Sequence, residues 1–407
     1  MKPMGPIPAD FRSKGGALLI GGRKASALVR RAGETPLFVY DFAMAERRIA
    51  RFRAAFPSID LHYALKANPF ATLVHRIAPL VDGIDVASIG EARAAIDAGM
   101  AGFCVSFAGP GKRDAELEFA IHHGLTVNLE SEGEAERALA IGARIGVRPR
   151  LAVRVNPDFE LRGSGMRMGG GAKPFGVDAD RVPALVRRIA AEGAEFRGFH
   201  IFAGSQSLDA EAIVEAQAAT VTLASRLAEE AGVAPPRLNL GGGFGIPYFA
   251  GDASLDIERI GAALEAQYHE RPAALADTRF NLELGRWLVG EAGVYLTRVV
   301  DRKESGGQVF LIVDGGLHHQ LAASGNFGTV VRRNYPIAVA DRFGAEPEEV
   351  VNVCGCLCTP LDRLGDQVSL PRTEVGDLIA IFLAGAYGAS ASPSAFLGHG
   401  PAMEMLV

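Results

Sequence analysis

Three groups of residues in this chain carry types and spacings that suit chemistry. Lys66 ends a strand-like alternation in the run HYALKANPF (His62 to Phe70) and is followed by a turn. A lysine amine in a partly desolvated pocket loses its proton more readily and can condense with an aldehyde. A solvated lysine at a strand end is the plain alternative, and this run alone does not separate the two. Gly241, Gly242 and Gly243 follow a second strand-like run, LNL. Residues without a Cβ let backbone N–H groups approach a phosphate closely, although a glycine-rich turn by itself is a weak signal. Cys354, Cys356 and Cys358 alternate in VNVCGCLCTPLD, where a strand would point all three thiols the same way. The C-x-C-x-C spacing has no C-x-x-C partner, and Cys104 is distant in sequence, so no metal site is expected. At least one of the three is expected to be a catalytic thiol or a core residue.

The elements that must hold these residues follow a rhythm. From residue 61 to about 290, short apolar β-branched runs alternate with amphipathic stretches such as DAELEFAIHHG and SEGEAERALAIGARIG, the pattern of repeated βα units and a parallel sheet. The strand candidates start at Leu61, Gly83, Phe103, Thr126, Arg150, Gly198, Leu238 and Phe280, the eight that a (β/α)₈ barrel of the TIM type requires. Barrel enzymes carry their chemistry at the C-terminal strand ends, and there these runs hold Lys66, Asp85, Arg154, His200, Gly241 to Gly243 and Glu283. Beyond about Gly290, runs such as VYLTRVVDRKE, GQVFLIVDGG and DLIAIFLAGAY follow one another without helical patterns between them, as do GALLIGG and TPLFVYD near the N-terminus. The expected organisation is therefore an α/β barrel over residues 41–290 and a mostly antiparallel β domain from 1–40 and 291–407.

Bulk properties exclude several roles. The chain has 407 residues, 48% hydrophobic and 22% charged, enough to bury a large core, and its formal net charge of -5 gives no basic field for a polyanion. Nucleic acid is not an expected partner. The N-terminus MKPMGPIPADFRSKGG has no apolar core of a signal peptide, and no later stretch approaches roughly 18 uninterrupted apolar residues. No membrane association and a cytoplasmic location are expected.

HYALKANPF, DVASIGE, LNLGGGFGIPY, ELGR, CTPLD and GAYG occur in this order over more than 300 residues. Together they resemble the fold-type III pyridoxal phosphate (PLP) dependent decarboxylases, the ornithine/diaminopimelate/arginine decarboxylase family. The details FAGPGK, MRMGGGAKPFG, GFHIFAGSQ, CTPLDRLG and SPSAFLGH are closer to a subgroup that includes exosortase-associated enzymes and decarboxylases of amino-acyl groups on an acyl carrier protein.

The resemblance implies that Lys66 binds PLP as a Schiff base, and that Glu283 faces the ring nitrogen and keeps it protonated, so that the ring can accept the electrons left by CO2. It implies that Gly241, Gly242, Gly243, Ser205, Arg286 and Tyr387 bind the phosphate, and that Asp85 and Arg154 help to fix the cofactor's surroundings. Buried ion pairing explains the last two equally well. The family's ring-stacking histidine is replaced by Phe202, and His200, two residues earlier on the same strand face, is expected near the cofactor, with a catalytic part open to it. The family's proline after the glutamate is Leu284 here.

Cys358 matches the cysteine that in this family enters the active site from the partner subunit and returns a proton, so a homodimer with shared sites is implied; Asp362 matches an aspartate of the same interface. The residue after that cysteine is typically acidic in the diamino-acid enzymes, because a carboxylate holds the distal ammonium, whereas here it is Thr359. Asp314 matches another family acid, which leaves amine recognition open. His318 and His319 follow it, either lining the substrate side or as surface histidines. The expected substrate is an amino acid or an amino acid tethered to an acyl carrier protein. A racemase on the same fold and a non-catalytic PLP-binding regulator are the alternatives.

Overall fold

The structure, a computed structural model, describes residues 1–159, 171–325 and 333–407 and the backbone of 166–167. The chain divides into two compact units, Ile49–Gly245 with Ser254–Gly285, and Met1–Arg48 with Ile246–Ala253 and Arg286–Val407.

The first unit is a closed parallel barrel. Its strands are β1 (Asp60–Ala64), β2 (Gly83–Val86), β3 (Val105–Phe107), β4 (Thr126–Leu129), β5 (Arg150–Asn156), β6 (Glu195–Ile201), β7 (Arg237–Asn239) and β8 (Arg279–Leu284). They run in the order β5-β6-β7-β8-β1-β2-β3-β4, and β4 pairs with β5 to close the ring. Each expected strand is present, with two changes at the ends. Phe103 and Cys104 lie in a 3₁₀ turn ahead of β3, because Phe103, at 60% exposure, has no core to enter. Strand β1 stops at Ala64, and Lys66 sits in a 3₁₀ turn, Leu65–Ala67. That turn is fixed by the Tyr63 hydroxyl donating to Asn68 O at 2.9 Å and Phe70 N donating to Asn68 Oδ1 at 3.0 Å.

Helices between the strands carry their own start and stop signals. Ser131 caps the helix Glu132–Ile145 by accepting from Glu134 N, and Gly146 ends it at φ 68, a left-handed conformation open to glycine at no steric cost. Branched apolar side chains usually fill a barrel interior. Here His62, Asp85, Ser106, Asn128, Arg154, His200, Asn239, Asn281 and Glu283 are all buried on barrel strands. The register brings them side by side: Arg154, His200 and Asn239 are successive partners, as are Glu283, His62 and Gly83.

The second unit is built on an eight-stranded, mostly antiparallel sheet. Its long central strand, Gly293–Ser305, pairs antiparallel with Leu37–Tyr40, Leu378–Ile381 and Gln308–Val313. Two pairings are parallel, Gln308–Val313 with Glu349–Cys354 and Met403–Leu406 with Leu37–Tyr40. Its core includes Phe38, Tyr295, Leu296, Ile379 and Phe382. Segments Ile246–Ala253 and Arg286–Gly290 pack in this unit through contacts of their own. The Phe249 ring lies 5.7 Å from that of Tyr335, and Gly385 N donates to Gly290 O at 3.0 Å. Among the described residues no helix is long and apolar enough to cross a membrane.

Candidate active site

The C-terminal strand ends of the barrel surround a cavity of about 250 Å³. Lys66, Asp85, Arg154, His200, Phe202 and Glu283 all line it, so one cavity gathers six of the residues singled out in the sequence. The Lys66 amine lies 5.6 Å from the centre of the Phe202 ring, and the side chain is exposed, so the amine is reachable.

Glu283 is buried at the end of β8. Its Oε2 stands 3.2 Å from His200 Nε2 and accepts from Asn239 Nδ2 at 3.3 Å. Burial by itself would push the carboxyl up. His200, Lys66 and Arg154 outweigh that and hold it down to about 2, so the carboxylate is charged throughout the neutral range. His200 reaches Glu283 at ion-pair distance but out of line for a hydrogen bond, and both of its buried ring nitrogens lack a hydrogen-bond partner. Leu284, where the family has proline, is the last residue of β8 and pairs in register with Tyr63.

Asp85 is paired, its Oδ2 lying 3.1 Å from His62 Nδ1. Arg154 donates to Glu130 at 2.8 Å and lies 4.9 Å over the Phe175 ring. Glu130 also accepts from Gly109 N and Gly176 N at 2.7 and 2.8 Å, which ties two loops to the arginine. Behind it Lys112 lies 3.0 Å from Glu134, both buried. The sequence reading did not single out Glu130, Asn239, Phe175 or Lys112. FAGPGK and MRMGGGAKPFG, which contain two of them, were the available signals; of the second motif, residues 168–170 lie outside the described residues.

The glycine turn after β7 is dictated by its neighbours. Gly243 has φ 81, and a Cβ there would meet Gly204 O at 2.3 Å; a Cβ on Gly242 would meet Glu283 O at 2.0 Å. The close approach packs this turn against the backbone at Gly204–Ser205, with Ser207 N donating to Gly243 O at 2.9 Å. Among the described residues, the amides of Gly242 and Gly243 have no protein acceptor.

The β-rich unit holds the remaining expected residues. Arg286 donates to the Tyr248 hydroxyl at 2.9 Å and stacks over the Tyr387 ring at 4.6 Å, with Tyr387 at φ 58. Tyr248, in the GIPY end of LNLGGGFGIPY, is a partner that the sequence reading quoted without assigning. Cys358 is exposed. The three alternating cysteines do not share a strand face: the strand ends at Cys354, and Gly355 to Thr359 form a bend. Asp362 causes the bend, accepting from Leu357 N at 2.8 Å and Leu317 N at 2.6 Å while its own carbonyl accepts from Gly355 N. Each Asp362 oxygen thus accepts from a backbone amide, so the residue clamps two loops together. Asp314 accepts from Thr35 Oγ1, Thr297 Oγ1 and Arg298 N at 2.5, 2.6 and 2.9 Å. Thr359 Oγ1 accepts only a long contact, 3.4 Å, from Leu361 N.

An accessible lysine amine beside an aromatic face, with a permanently charged carboxylate in the same cavity, is the equipment of a barrel enzyme that works through an aldehyde cofactor. Residues 43–290 match the family model for the pyridoxal-dependent decarboxylases, pyridoxal binding domain. The chain is 37% identical over 388 residues, 94% of its own length and 90% of the relative's, to an L-glutamyl-[BtrI acyl-carrier protein] decarboxylase of Niallia circulans. It is 34% identical to a diaminopimelate decarboxylase of Archaeoglobus fulgidus, covering 98% and 93% of the two chains. Among solved structures, diaminopimelate decarboxylase from M. jannaschii in complex with L-lysine superposes with a TM-score of 0.88 at 26% identity, over 98% of this chain and 93% of that one. The chain belongs to the pyridoxal-dependent decarboxylases. It is a PLP-dependent amino-acid decarboxylase, and the cavity fits that cofactor: among the described residues the buried His200 Nδ1 has no partner, and the glycine turn leaves amides without protein acceptors at a place where a Cβ would not fit.

Proposed function

We propose that this decarboxylase acts on an α-amino-acyl group carried by an acyl carrier protein rather than on a free diamino acid. The observation that carries the reading is Thr359, which stands where an acid would hold a distal ammonium, while Asp362 and Asp314 already accept hydrogen bonds from internal donors. An ammonium taken from water into a site without a counter-charge loses several kcal/mol of solvation by the ordinary cost of burying ions, roughly 2–7 kcal/mol even for a neutral polar group. The similarity to a relative named for a glutamyl group on a carrier protein supports the same substrate class.

Pyridoxal 5'-phosphate, when bound, supplies the electron sink for the pair released as CO2 leaves. Lys66 would provide the amine that anchors it, and Glu283 the fixed negative charge that would keep the ring nitrogen protonated. His200 and Asn239 act through Glu283 and are positioning residues, since each lies against the same Oε2. The amides of Gly242 and Gly243, with Ser205 beside the turn, would take the phosphate, while the Gly241 amide donates to Asn239 Oδ1 at 2.8 Å and holds the turn in place. Phe202, which lines the cavity beside Lys66, would cover one face of the bound ring and exclude water from it. Replacing that face is expected to weaken PLP affinity about tenfold, the upper end of an aromatic stacking contribution of ~1.5 kcal/mol. Titration of apo Phe202→Ala with PLP checks it, and unchanged affinity with an unchanged absorption spectrum would refute the stacking role.

Cys358 is assigned the proton return to Cα. A thiol can act as a general acid toward a carbanion. Exposure of Cys358 in the single chain suits a residue that serves a second subunit, and a homodimer with shared sites is part of the proposal. Cys358→Ala is expected to lower kcat about 10²-fold, the low end for loss of a general acid, with KM little changed. An unaltered rate would remove the cysteine from the mechanism.

The substrate is tested by CO2 release from the PLP-loaded enzyme. Ornithine, lysine, arginine and meso-diaminopimelate are compared with amino-acyl thioesters on a carrier protein, glutamyl among them. Turnover confined to tethered substrates is expected; turnover of a free diamino acid at a similar kcat/KM would overturn the substrate assignment.

A further inference from the structure

Within the β-rich unit, three side chains come together to which the proposed reaction assigns no step. Donor atoms of His318, Cys356 and His399 all lie within 4.8 Å of one another. Cys356 Sγ is 4.0 Å from His399 Nδ1, and the His318 and His399 rings are 4.9 Å apart at 44°. His318 is fully buried, at 0% exposure, yet among the described residues neither of its ring nitrogens has a hydrogen-bond partner. Buried polar groups in folded proteins are nearly always satisfied, so an imidazole left this way and facing a thiol and a second imidazole points to a missing counterpart.

We propose that His318, Cys356 and His399 form a binding site for a zinc-class divalent ion, with a fourth coordination position open. Two imidazoles and a sulfur suit borderline-soft ions and not magnesium or calcium, which take oxygen ligands. In a tetrahedral zinc site with Zn–N of about 2.0–2.1 Å and Zn–S of about 2.3 Å, ligand atoms stand ~3.3–3.7 Å apart, so closure needs shifts of roughly 1 Å. The exposed His399 side chain, beside the turn Phe396–Gly398, can supply them.

The surroundings are built to hold the other ligands. The Asp362 carboxylate takes the amides of Leu317 and Leu357, the neighbours of His318 and Cys356, and so clips the two ligand-bearing loops together. His319 is placed 3.0 Å from the Tyr295 hydroxyl by Nδ1 and 3.0 Å from Gly400 O by Nε2, which holds the residue next to His399. These contacts fix the backbone beside each proposed ligand.

The test uses the full-length PLP-loaded enzyme after chelator treatment and gel filtration. Zn²⁺ is titrated calorimetrically, and bound metal is counted by elemental analysis. One zinc per chain is expected. Cys356→Ser and His399→Ala are each expected to weaken binding by more than about 100-fold, beyond the upper range for loss of an outer contact. Cys358→Ser, two residues from the site, and His122→Ala, an exposed histidine of the barrel unit, are expected to keep the wild-type affinity. PLP content and circular dichroism of each variant verify folding. Absence of stoichiometric zinc, or equal zinc binding by Cys356→Ser and His399→Ala, would overturn the site; because His399 is exposed, its alanine variant keeps the test informative even if a core substitution fails to fold.

Discussion

Lys66→Ala is expected to lower kcat by about 10⁴-fold or more, ~5.5 kcal/mol of barrier, because no other amine lines the cavity among its described residues and an alanine cannot condense with an aldehyde. The fold is not expected to suffer. Lys66 is exposed on a short 3₁₀ turn whose shape is set by Tyr63, Asn68 and Phe70, and its neighbours Leu65 and Ala67 are the residues buried there. Lys66→Arg separates charge from chemistry. The guanidinium stays protonated at any working pH and does not serve as the nucleophile, so this variant is expected to be as inactive as the alanine one while keeping a cation beside Glu283. CO2 release, read with the absorption spectrum of added PLP, tests both. Retention of a tenth of the wild-type rate by either variant would remove Lys66 from its assigned role.

Glu283→Gln is expected to lower kcat about 10³-fold while leaving PLP content near that of the wild type, a loss of the size seen when one preorganised electrostatic partner is removed. The substitution preserves shape, and a glutamine oxygen can still accept from Asn239, so what is removed is the charge. That charge is secure. Burial raises the carboxyl, but His200, Lys66 and Arg154 bring it to about 2, below the ordinary glutamate value of about 4.3. For a depressed carboxylate the stabilisation is fully present above the unfolded-state value and is lost as pH falls through the folded one. The wild type is therefore expected to lose stability on this account between roughly pH 4.3 and 2, and Glu283→Gln to show a shallower slope across the same window in acid denaturation. A kcat within threefold of wild type would show that the ring nitrogen does not depend on Glu283.

The barrel and its rim were legible because local pattern and site chemistry agree. Apolar β-branched runs alternating with amphipathic ones specify βα units, and in a parallel barrel every such unit delivers its C-terminal end to the same rim. Lys66, Asp85, Arg154, His200, Phe202 and Glu283 thus reach one cavity from positions spread between residues 66 and 283. The same logic misled at VNVCGCLC. Alternation there implied one strand carrying three thiols, but Asp362, from further along the chain, takes the Leu357 amide and folds the segment away from the sheet after Cys354.

By itself the sequence determined the succession of strands and helices, the glycine turn and the residue types available for chemistry, since these depend on neighbours a few positions away. What it left undecided was which polar groups were already spent. Asp314 and Asp362 look like free carboxylates in isolation, and only the tertiary structure supplies Thr35, Thr297, Leu317 and Leu357 as donors to them. His318, Cys356 and His399 have no sequence spacing that marks a site, and only the packing of three loops sets them side by side. The physical reason is common to both cases: a hydrogen bond or a ligand bond depends on distance in space, and between residues far apart along the chain that distance is fixed by the packing of the whole unit.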